Sequence, residues 1–246
     1  MAKNIPLQPE NFELETNTIW TFPERGKWAT HDAKYRGNWS PYIPRNIIIR
    51  YSEEGDTVLD QFTGGGTTAV EAKLTGRNFI GFDINPDAVA RSKSKCEFEF
   101  ETKCKVAISL CDARKLPLND ESVDLICTHP PYADIIKYSE NIDGDLSHLP
   151  IKDFLPEIHK VAEESYRVLK KGKYCAILMG DTRKNGMVQP LAFDTMTMFR
   201  LAGFRLKEII IKEQHNCKAT GFWKTNSVKY NFLLLAHEYL FIFKKE

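Results

Sequence analysis

The residues best suited to chemistry in this chain read Thr128-His129-Pro130-Pro131-Tyr132 and directly follow the apolar run Val123–Cys127. Two adjacent prolines stiffen a turn and leave the backbone carbonyl that follows His129 free of local competition. A carbonyl and one side-chain acceptor can hold both protons of an aromatic amine, while Tyr132 offers a ring face for stacking. In isolation such a triplet is more often a plain turn that ends a strand, so its meaning depends on what lies beside it.

Three acidic residues stand at the ends of three earlier apolar runs. Asp60 precedes the glycine-rich turn 64–66, Asp83 lies nineteen residues past Gly64, and Asp112 ends the third run. Glycines let the backbone approach a ligand, and an acid about 20 residues on can accept hydrogen bonds from ribose hydroxyls. Asp112 is placed to receive the amino group of an adenine ring. Because Asp60 would repel a pyrophosphate but suits a cationic methionine group, these residues favour S-adenosylmethionine over NAD.

The order of apolar runs and helical stretches after residue 57 predicts a doubly wound, mostly parallel sheet. The predicted strands are Thr57–Phe62, Asn78–Ile84, Val106–Leu110, Val123–Cys127, Tyr174–Met179, Leu206–Lys212 and Tyr239–Phe243. The predicted helices include Ile47–Ile49, Ala69–Leu74, a helix opened by Pro86, Phe154–Leu169 and Leu191–Leu201. We expect seven strands, the last antiparallel, in a single domain of residues 1–246. The fourth strand should then neighbour the first, which would bring the Pro-Pro-Tyr turn to the predicted cofactor.

The composition is that of an ordinary soluble globular protein, with 246 residues, 42% apolar and 27% charged. No apolar run reaches the roughly 20 residues of a membrane helix, and the first residues lack a signal-peptide pattern. We therefore expect a location in a prokaryotic cytosol. The six cysteines form no Cys-x-x-Cys pair and the histidines lack ligand spacing, so we expect reduced thiols and no metal. No Pro-Cys dipeptide occurs, which disfavours methylation of cytosine carbon 5.

The net charge is only +1, but two segments concentrate positive charge. Residues 25–50 carry a net charge of +5 and residues 205–229 a net charge of +4. Three of the four tryptophans, Trp28, Trp39 and Trp223, lie in these segments. Basic residues interleaved with aromatics suit phosphate contact and base stacking, so the pattern favours a surface that binds a polyanion over a merely solvated surface.

Taken together, these residues resemble the amino-group DNA methyltransferases, which act on cytosine N4 or adenine N6. Residues 60–68 are similar to the family's Asp-Pro-Phe-x-Gly-Ser-Gly-Thr-Thr donor motif, and residues 128–132 resemble its Asp/Asn/Ser-Pro-Pro-Tyr catalytic motif. Residues 38–44 are similar to the segment that closes over the methionine end of the cofactor. The resemblance covers the chain from about residue 28 to its end. It implies a Rossmann-like S-adenosylmethionine-dependent methyltransferase fold, double-stranded DNA as partner, and a target base flipped out of the duplex.

The motifs and the strand ends give three sets of expected site residues. The catalytic set is Thr128, His129, Pro130, Pro131 and Tyr132. The cofactor-binding set is Trp39, Ser40, Pro44, Asp60, Phe62, Gly64, Gly66, Thr67, Asp83, Ile84, Asp112 and Ala113. The nucleic-acid-binding set is Lys218, Phe222, Trp223 and Lys224. Residues 1–50 are expected to form an arm and the closing segment, and residues 133–150 and 213–237 the target-recognition loops.

The sequence departs from the family pattern at three positions. Gln61 replaces the usual proline, Gly65 the usual serine, and His129 the usual Asp, Asn or Ser. A neutral imidazole accepts one hydrogen bond but does not match a carboxylate, which leaves cytosine N4 and adenine N6 both open as targets. Two alternatives remain: an RNA base amino-methyltransferase of the guanine-N2 type, and a catalytically inactive regulatory subunit that binds the cofactor. A homodimer or a restriction partner also remains open.

Overall fold

Alternating strands and helices build a central sheet in a computed structural model that describes residues 5–215 and 220–246. The strands are β1 (Ile19–Trp20), β2 (Thr57–Asp60), β3 (Asn78–Asp83), β4 (Val106–Leu110), β5 (Val123–Thr128), β6 (Leu169–Met179), β7 (Thr182–Lys184), β8 (Met187–Gln189), β9 (Arg205–Glu213) and β10 (His237–Lys244). The α-helices are α1 (Tyr42–Tyr51), α2 (Thr67–Leu74), α3 (Pro86–Lys95), α4 (Ile151–Val168), α5 (Leu191–Leu201) and α6 (Thr220–Lys229). Two short 3₁₀ turns lie at Ala133–Ile135 and Leu146–His148.

The main sheet has the strand order β1-β9-β10-β6-β5-β2-β3-β4. Strand β10 is antiparallel to both of its neighbours, and the other pairs are parallel. This order confirms the doubly wound sheet with an antiparallel last strand. All seven predicted strands are present, but the prediction of seven was one too few. The eighth is β1, which pairs with β9 because the buried Trp20 side chain anchors the arm against the sheet. Two residues are too short to show a strand period.

Other differences concern the loops and one strand boundary. Strand β6 begins at Leu169 rather than Tyr174, because Gly172 takes a positive φ of 77° and lets the chain bulge without leaving the sheet. The segment between β9 and β10, predicted as a loop, contains helix α6. A hairpin of β7 and β8 follows β6, at a place where no strand is predicted.

Helices cover both faces of the sheet, each over its own apolar cluster. On one face Ile47 of α1 packs with Val58 and Phe79, while on the other Phe154 of α4 packs with Phe199 and Phe241. None of the helices in the described ranges is long and apolar enough to cross a membrane.

The strand order reverses between β2 and β5, which are parallel neighbours in the middle of the sheet. From this point the chain runs outward in one direction through β3 and β4 and in the other through β6. In such sheets the ligand crevice lies at the carboxyl ends of the strands where the order reverses. This confirms the predicted neighbourhood of the first and fourth predicted strands and places Asp60 beside Thr128.

Candidate active site

A cavity opens at the carboxyl ends of β2 and β3, and we call it the first cavity. Eight of the twelve predicted cofactor residues line it: Trp39, Asp60, Phe62, Gly64, Asp83, Ile84, Asp112 and Ala113. His129 and Pro131 of the predicted catalytic motif also line this cavity. The parallel sheet thus brings the three acidic strand ends and the motif together, as their positions in the sequence predicted.

Four predicted cofactor residues, Ser40, Pro44, Gly66 and Thr67, do not line the first cavity. Thr67 instead donates from Oγ1 to Asn38 Oδ1 at 2.6 Å, which ties helix α2 to the closing segment. Gly66 has a φ of 80°, and a Cβ atom there would lie 2.9 Å from the Ser92 Cα atom, so helices α2 and α3 approach closely only with glycine. Pro44 is buried in α1. These residues support the wall of the cavity from behind.

The closing segment is held by one arginine. Arg25 donates from Nη1 to the Asn38 carbonyl at 2.6 Å and from Nη2 to the Trp39 carbonyl at 2.5 Å. Ser40 Oγ in turn donates to the Arg25 carbonyl at 2.9 Å. Asn38 and Trp39, which line the first cavity, are therefore fixed through their backbone.

Asp60 connects the glycine turn to the catalytic motif. Its carboxylate accepts hydrogen bonds from the Phe62 amide at 3.0 Å, from Thr68 Oγ1 at 2.6 Å and from Thr128 Oγ1 at 2.7 Å. Burial raises the pKa of Asp60, and these three hydrogen bonds oppose the rise. Thr128 therefore links the two motifs, and it does not line the first cavity.

Two further carboxylates mark the ends of the neighbouring strands. Asp83 accepts from the Gly64 amide at 2.9 Å and the Asn85 amide at 3.0 Å, and burial raises its pKa to about 6. Asp112 accepts from Arg114 Nη2 at 2.6 Å and Nε at 3.0 Å. Burial alone would raise the pKa of Asp112, but the contacts with Arg114 outweigh it and lower the pKa.

The charge of the first cavity selects among cofactors. Asp60, Asp83, Asp112 and Asp145 all line it, and no lysine or arginine does so in the described part of the chain. Four carboxylates without a lining cation would repel the pyrophosphate of a dinucleotide but attract a sulfonium and an ammonium group. The residues present therefore fit S-adenosylmethionine.

We expect the affinity for S-adenosylmethionine to fall as the pH is lowered through 6, the region in which Asp83 takes up a proton. A raised carboxyl pKa means that Asp83 is ionised above about pH 6 and neutral below it, and the ionised form is the better acceptor for ribose hydroxyls. If only that form binds, the apparent Kd at pH 5 should be about tenfold higher than at pH 7.5.

Isothermal titration calorimetry at the two pH values measures this ratio. The control is Asp83→Asn, in which affinity should be lower at both pH values and the pH dependence should flatten. An unchanged slope in that variant would assign the effect to another carboxylate, such as Asp60.

A second cavity of about 330 Å³ lies on the other side of His129. Its volume falls within the roughly 300–1,000 Å³ of small-molecule sites. It is lined by Gly37, His129, Tyr132, Ile135, Ile136, Tyr138, Gly180, Asp181, Thr182, Gln214, Leu235, His237 and Glu238. Because His129 and Tyr138 line both cavities, they stand between them.

His129 is held on two sides by aromatic rings. Its imidazole stacks on Trp39 with ring centres 5.3 Å apart and planes 24° apart. Its Nε2 atom lies 2.9 Å from Tyr132 Oη, which donates to Glu238 Oε1 at 2.9 Å. Burial lowers the pKa of His129 to about 4, so the ring is neutral at pH 7. Burial also raises the pKa of Tyr132 well above its usual range.

The turn that carries the motif is tight. Ala133 directly follows Tyr132 and has a φ of 47°, a left-handed conformation that non-glycine residues adopt at a cost of about 1–2 kcal/mol. At Gly180 a Cβ atom would lie only 2.8 Å from the Tyr132 ring, so that ring reaches its place only beside glycine. Pro130 is buried and lines neither cavity, whereas Pro131 lines the first.

For residues 25–50 the expectation of surface aromatics is wrong, whereas four of the six basic residues, Lys27, Lys34, Arg36 and Arg50, are exposed as expected. Trp28 and Trp39 are 2% and 6% exposed, so neither ring is available for stacking a base on the surface. Arg45 is buried and pairs with Glu71. Sequence alone does not reveal a buried ion pair, so Arg45 contributes to the net charge of the segment but not to the charge of its surface.

The expectation fits better at helix α6. Phe222 and Trp223 are 67% and 49% exposed, and Lys224 is also exposed. Lys218 lies outside the described residues. An open groove beside α6 is lined by Trp223 and Arg183 and shares Gln214 and Leu235 with the second cavity. Trp223 and Arg183 therefore lie in a groove that adjoins the second cavity.

Sequence reasoning missed several residues of the site. Tyr35 and Tyr138 stack with ring centres 5.9 Å apart over the first cavity, and Asp145 lines its wall. The segment 133–150, predicted to recognise a target, contributes residues to the second cavity and also to the first. In the sequence, Asp145 stands out only as part of the turn pattern Asp143-Gly144-Asp145. In the structure its side chain accepts a hydrogen bond from the Ser147 amide. Glu238, which borders the second cavity, carried no signal.

Comparison with known proteins places these features in a family. The family described as "Methyltransferase domain" matches residues 52–224, and the family described as "DNA methylase" matches residues 3–94. A tRNA (guanine(10)-N2)-dimethyltransferase of Methanothermobacter thermautotrophicus is 34% identical over 126 residues, which are 51% of this chain and 35% of that protein. The type II methyltransferase M.BglI of Bacillus subtilis is 37% identical over 89 residues, 36% of this chain and 24% of that protein. The chain thus spans about a third or less of the length of these two relatives.

Solved structures with the same fold include methyltransferases. A solved S-adenosylmethionine-dependent methyltransferase of Methanosarcina mazei superimposes with a TM-score of 0.58, covering 81% of this chain and 96% of that one at 16% identity. That likeness concerns the fold alone. The resemblance to the amino-group methyltransferases is confirmed by the DNA methylase match and the type II relatives. The chain belongs to the methyltransferase-domain family, and its cofactor is S-adenosylmethionine.

Proposed function

We propose that this protein transfers a methyl group from S-adenosylmethionine to the exocyclic amino group of a base in double-stranded DNA, cytosine N4 or adenine N6. The observation that carries the proposal is the position of His129 in the wall between two cavities. The acidic first cavity suits the cofactor. The second cavity combines aromatic and polar side chains and has room for a base flipped out of the duplex.

The chemistry follows from the groups at this wall. S-adenosylmethionine supplies a methyl group that is already activated by its positively charged sulfur. His129 would accept one hydrogen bond from the amino group, which turns the nitrogen lone pair toward the first cavity. Tyr132 would support the face of the base. Asp60 would hold this turn against the cofactor through its hydrogen bond from Thr128.

The proposed function is tested by giving one preparation of the protein two different nucleic acids in the presence of labelled cofactor. Purified protein is incubated with labelled S-adenosylmethionine and either amplified, unmethylated duplex DNA or tRNA, and the products are digested and analysed by mass spectrometry. Labelled N4-methylcytosine or N6-methyladenine from DNA would support the proposal. Label found only as a methylated guanine of tRNA would overturn it.

A second candidate is an RNA guanine-N2 methyltransferase. It is favoured by the similarity to the archaeal tRNA enzyme, which extends over 126 residues, against 89 for M.BglI. The tRNA arm of the same experiment decides between them. A third candidate, the inactive regulatory subunit, would bind S-adenosylmethionine in calorimetry but label neither nucleic acid. The proposal does not depend on assembly with a second copy or with a restriction partner, because the labelling experiment uses the protein alone.

Helix α6 is proposed to contact the phosphate backbone beside the second cavity, and Lys224→Ala tests this. A phosphate contact contributes about one unit to the slope of log K against log salt, so the variant should lower that slope by about 1. Trp223→Ala should weaken binding without that change in slope, by about 1–3 kcal/mol for each stacked base. Fluorescence anisotropy with labelled duplex DNA at several salt concentrations measures both.

The matched control is Lys93→Ala, which removes an exposed lysine from helix α3. Its slope should equal that of the wild type. Equal slopes for Lys93→Ala, Lys224→Ala and the wild type would remove α6 from the proposed interface.

A further inference from the structure

Four side chains form a hydrogen-bonded chain that begins at His129, and the first three of them line the second cavity. His129 Nε2 lies 2.9 Å from Tyr132 Oη, and Tyr132 donates to Glu238 Oε1 at 2.9 Å. Lys212 Nζ donates to Glu238 Oε2 at 2.9 Å. Lys212 and Glu238 face each other on β9 and β10, and their side chains are only 16% and 11% exposed.

The direction of each hydrogen bond follows from the groups at the end of the chain. An ammonium group only donates, and an ionised carboxylate only accepts. Glu238 therefore takes one hydrogen from Lys212 and the single hydroxyl hydrogen of Tyr132. Tyr132 has then no hydrogen left for His129, and its oxygen must accept from Nε2–H. A neutral imidazole carries one N–H, so the Nδ1 atom of His129 is left as a bare acceptor.

We propose that Glu238 and Lys212 are positioning residues, which act through Tyr132 to fix the Nε2–H tautomer of His129 and to present Nδ1 as the acceptor for the target amino group. This inference rests on the proposed function. It also gives a reason why histidine can stand where the related motif has Asp, Asn or Ser. The amino group needs one acceptor at this position, and an imidazole locked in one tautomer supplies one. In the described part of the chain, no residue hydrogen-bonds Nδ1 of His129.

The ionisation of Glu238 is set by the groups around it. Burial alone would raise its pKa, but the Lys212 ammonium and the hydrogen bond from Tyr132 outweigh burial and keep the pKa below its usual value. Asp181, beyond the end of β6, and His237, the neighbour of Glu238 on β10, line the same cavity. Without Lys212 burial would dominate. A protonated Glu238 would then donate to Tyr132, Tyr132 would donate to Nε2, and the imidazole would change to the Nδ1–H tautomer.

The first test needs no substrate and reads the tautomer in the wild-type protein. Long-range ¹H–¹⁵N spectra of histidine-labelled wild-type protein distinguish a protonated ring nitrogen from a bare one, and the His129 signals are assigned by their loss in His129→Asn. We expect Nε2 protonated and Nδ1 bare at pH 7. An Nδ1–H tautomer would overturn the inference, whether or not the protein methylates DNA. Absent methylation with the expected tautomer would instead count against the proposed function.

The second test uses Glu238→Gln and Lys212→Met, with Glu208→Gln on β9 as the matched control. Both variants should mix or exchange the tautomers and lower kcat on unmethylated duplex DNA by about 10- to 100-fold, the loss typical of a group that orients another. The KM for S-adenosylmethionine should not change. In Lys212→Met, kcat should recover as rising pH ionises Glu238, a response that a merely structural role would not produce. Wild-type tautomer and kcat in both folded variants would overturn the inference. If either variant fails to fold, the wild-type spectrum still decides.

Discussion

Replacing His129 with alanine is expected to lower the rate of methyl transfer by about 10²- to 10³-fold, while S-adenosylmethionine still binds. That is the usual loss when one preorganised hydrogen-bond partner is removed from a reacting group. In this protein His129 lies between the two cavities and is neutral at pH 7, since burial lowers its pKa to about 4. The carboxylates of the first cavity, which suit the cofactor, stay in place in the variant.

The measurements are kcat on unmethylated duplex DNA and the Kd for S-adenosylmethionine by calorimetry. His129→Asn should retain more activity than His129→Ala, because the amide oxygen restores an acceptor at this position. His159→Ala on helix α4 is the matched control, since its Nδ1 lies 3.1 Å from the Met198 carbonyl of α5 and the residue lines neither cavity. Lost cofactor binding in a folded His129→Ala protein, or an unchanged kcat, would contradict the assigned role.

The cofactor wall is the part of the site that could be predicted from the sequence. Asp60, Asp83 and Asp112 follow three successive apolar runs, and parallel strands place their carboxyl ends on one edge of a sheet. The structure brings all three to the first cavity. The catalytic motif was equally accessible because its five residues are consecutive and follow β5 directly.

The groups that orient the motif could not be predicted, because they depend on strand register. Lys212 and Glu238 are direct partners across β9 and β10, yet a shift of one residue would separate them. Each looks like an ordinary charged residue in an alternating strand. The sequence therefore left the chemistry of His129 open, whereas the buried chain through Tyr132 defines which nitrogen accepts.

Burial of charge was the second limit. Arg45 was counted toward a basic surface, but its guanidinium donates from Nη1 to Glu71 Oε2 at 2.9 Å and from Nη2 to Gln8 Oε1 at 2.6 Å. Net charge along a segment carries no information about which charges are paired inside the fold. The segment 25–50 therefore exposes fewer cations than its net charge implies, and its buried part, residues 28–45, which we call the strap, packs against helix α2.

Glu71 of α2 bonds three side chains of the strap, and Glu71→Ala is expected to lower the free energy of unfolding by about 3–5 kcal/mol, the loss found when one member of a buried ion pair is removed. Glu71 has a fully buried side chain. Its Oε1 accepts from Trp28 Nε1 at 2.7 Å and lies 2.7 Å from His31 Nε2, and its Oε2 accepts from Arg45. The variant leaves the Arg45 charge and two ring nitrogens without their partner.

Urea unfolding followed by tryptophan fluorescence measures this loss, since the midpoint falls in proportion when the slope is unchanged. Glu163→Ala on helix α4 is the matched control, because that glutamate side chain is 61% exposed and the change should stay within about 0.5 kcal/mol. A loss in Glu71→Ala no larger than in this control would mean that the strap is held by its apolar contacts alone. A large loss would identify Glu71 as the residue that fixes the closing segment, through residues 28–45, against the cofactor wall.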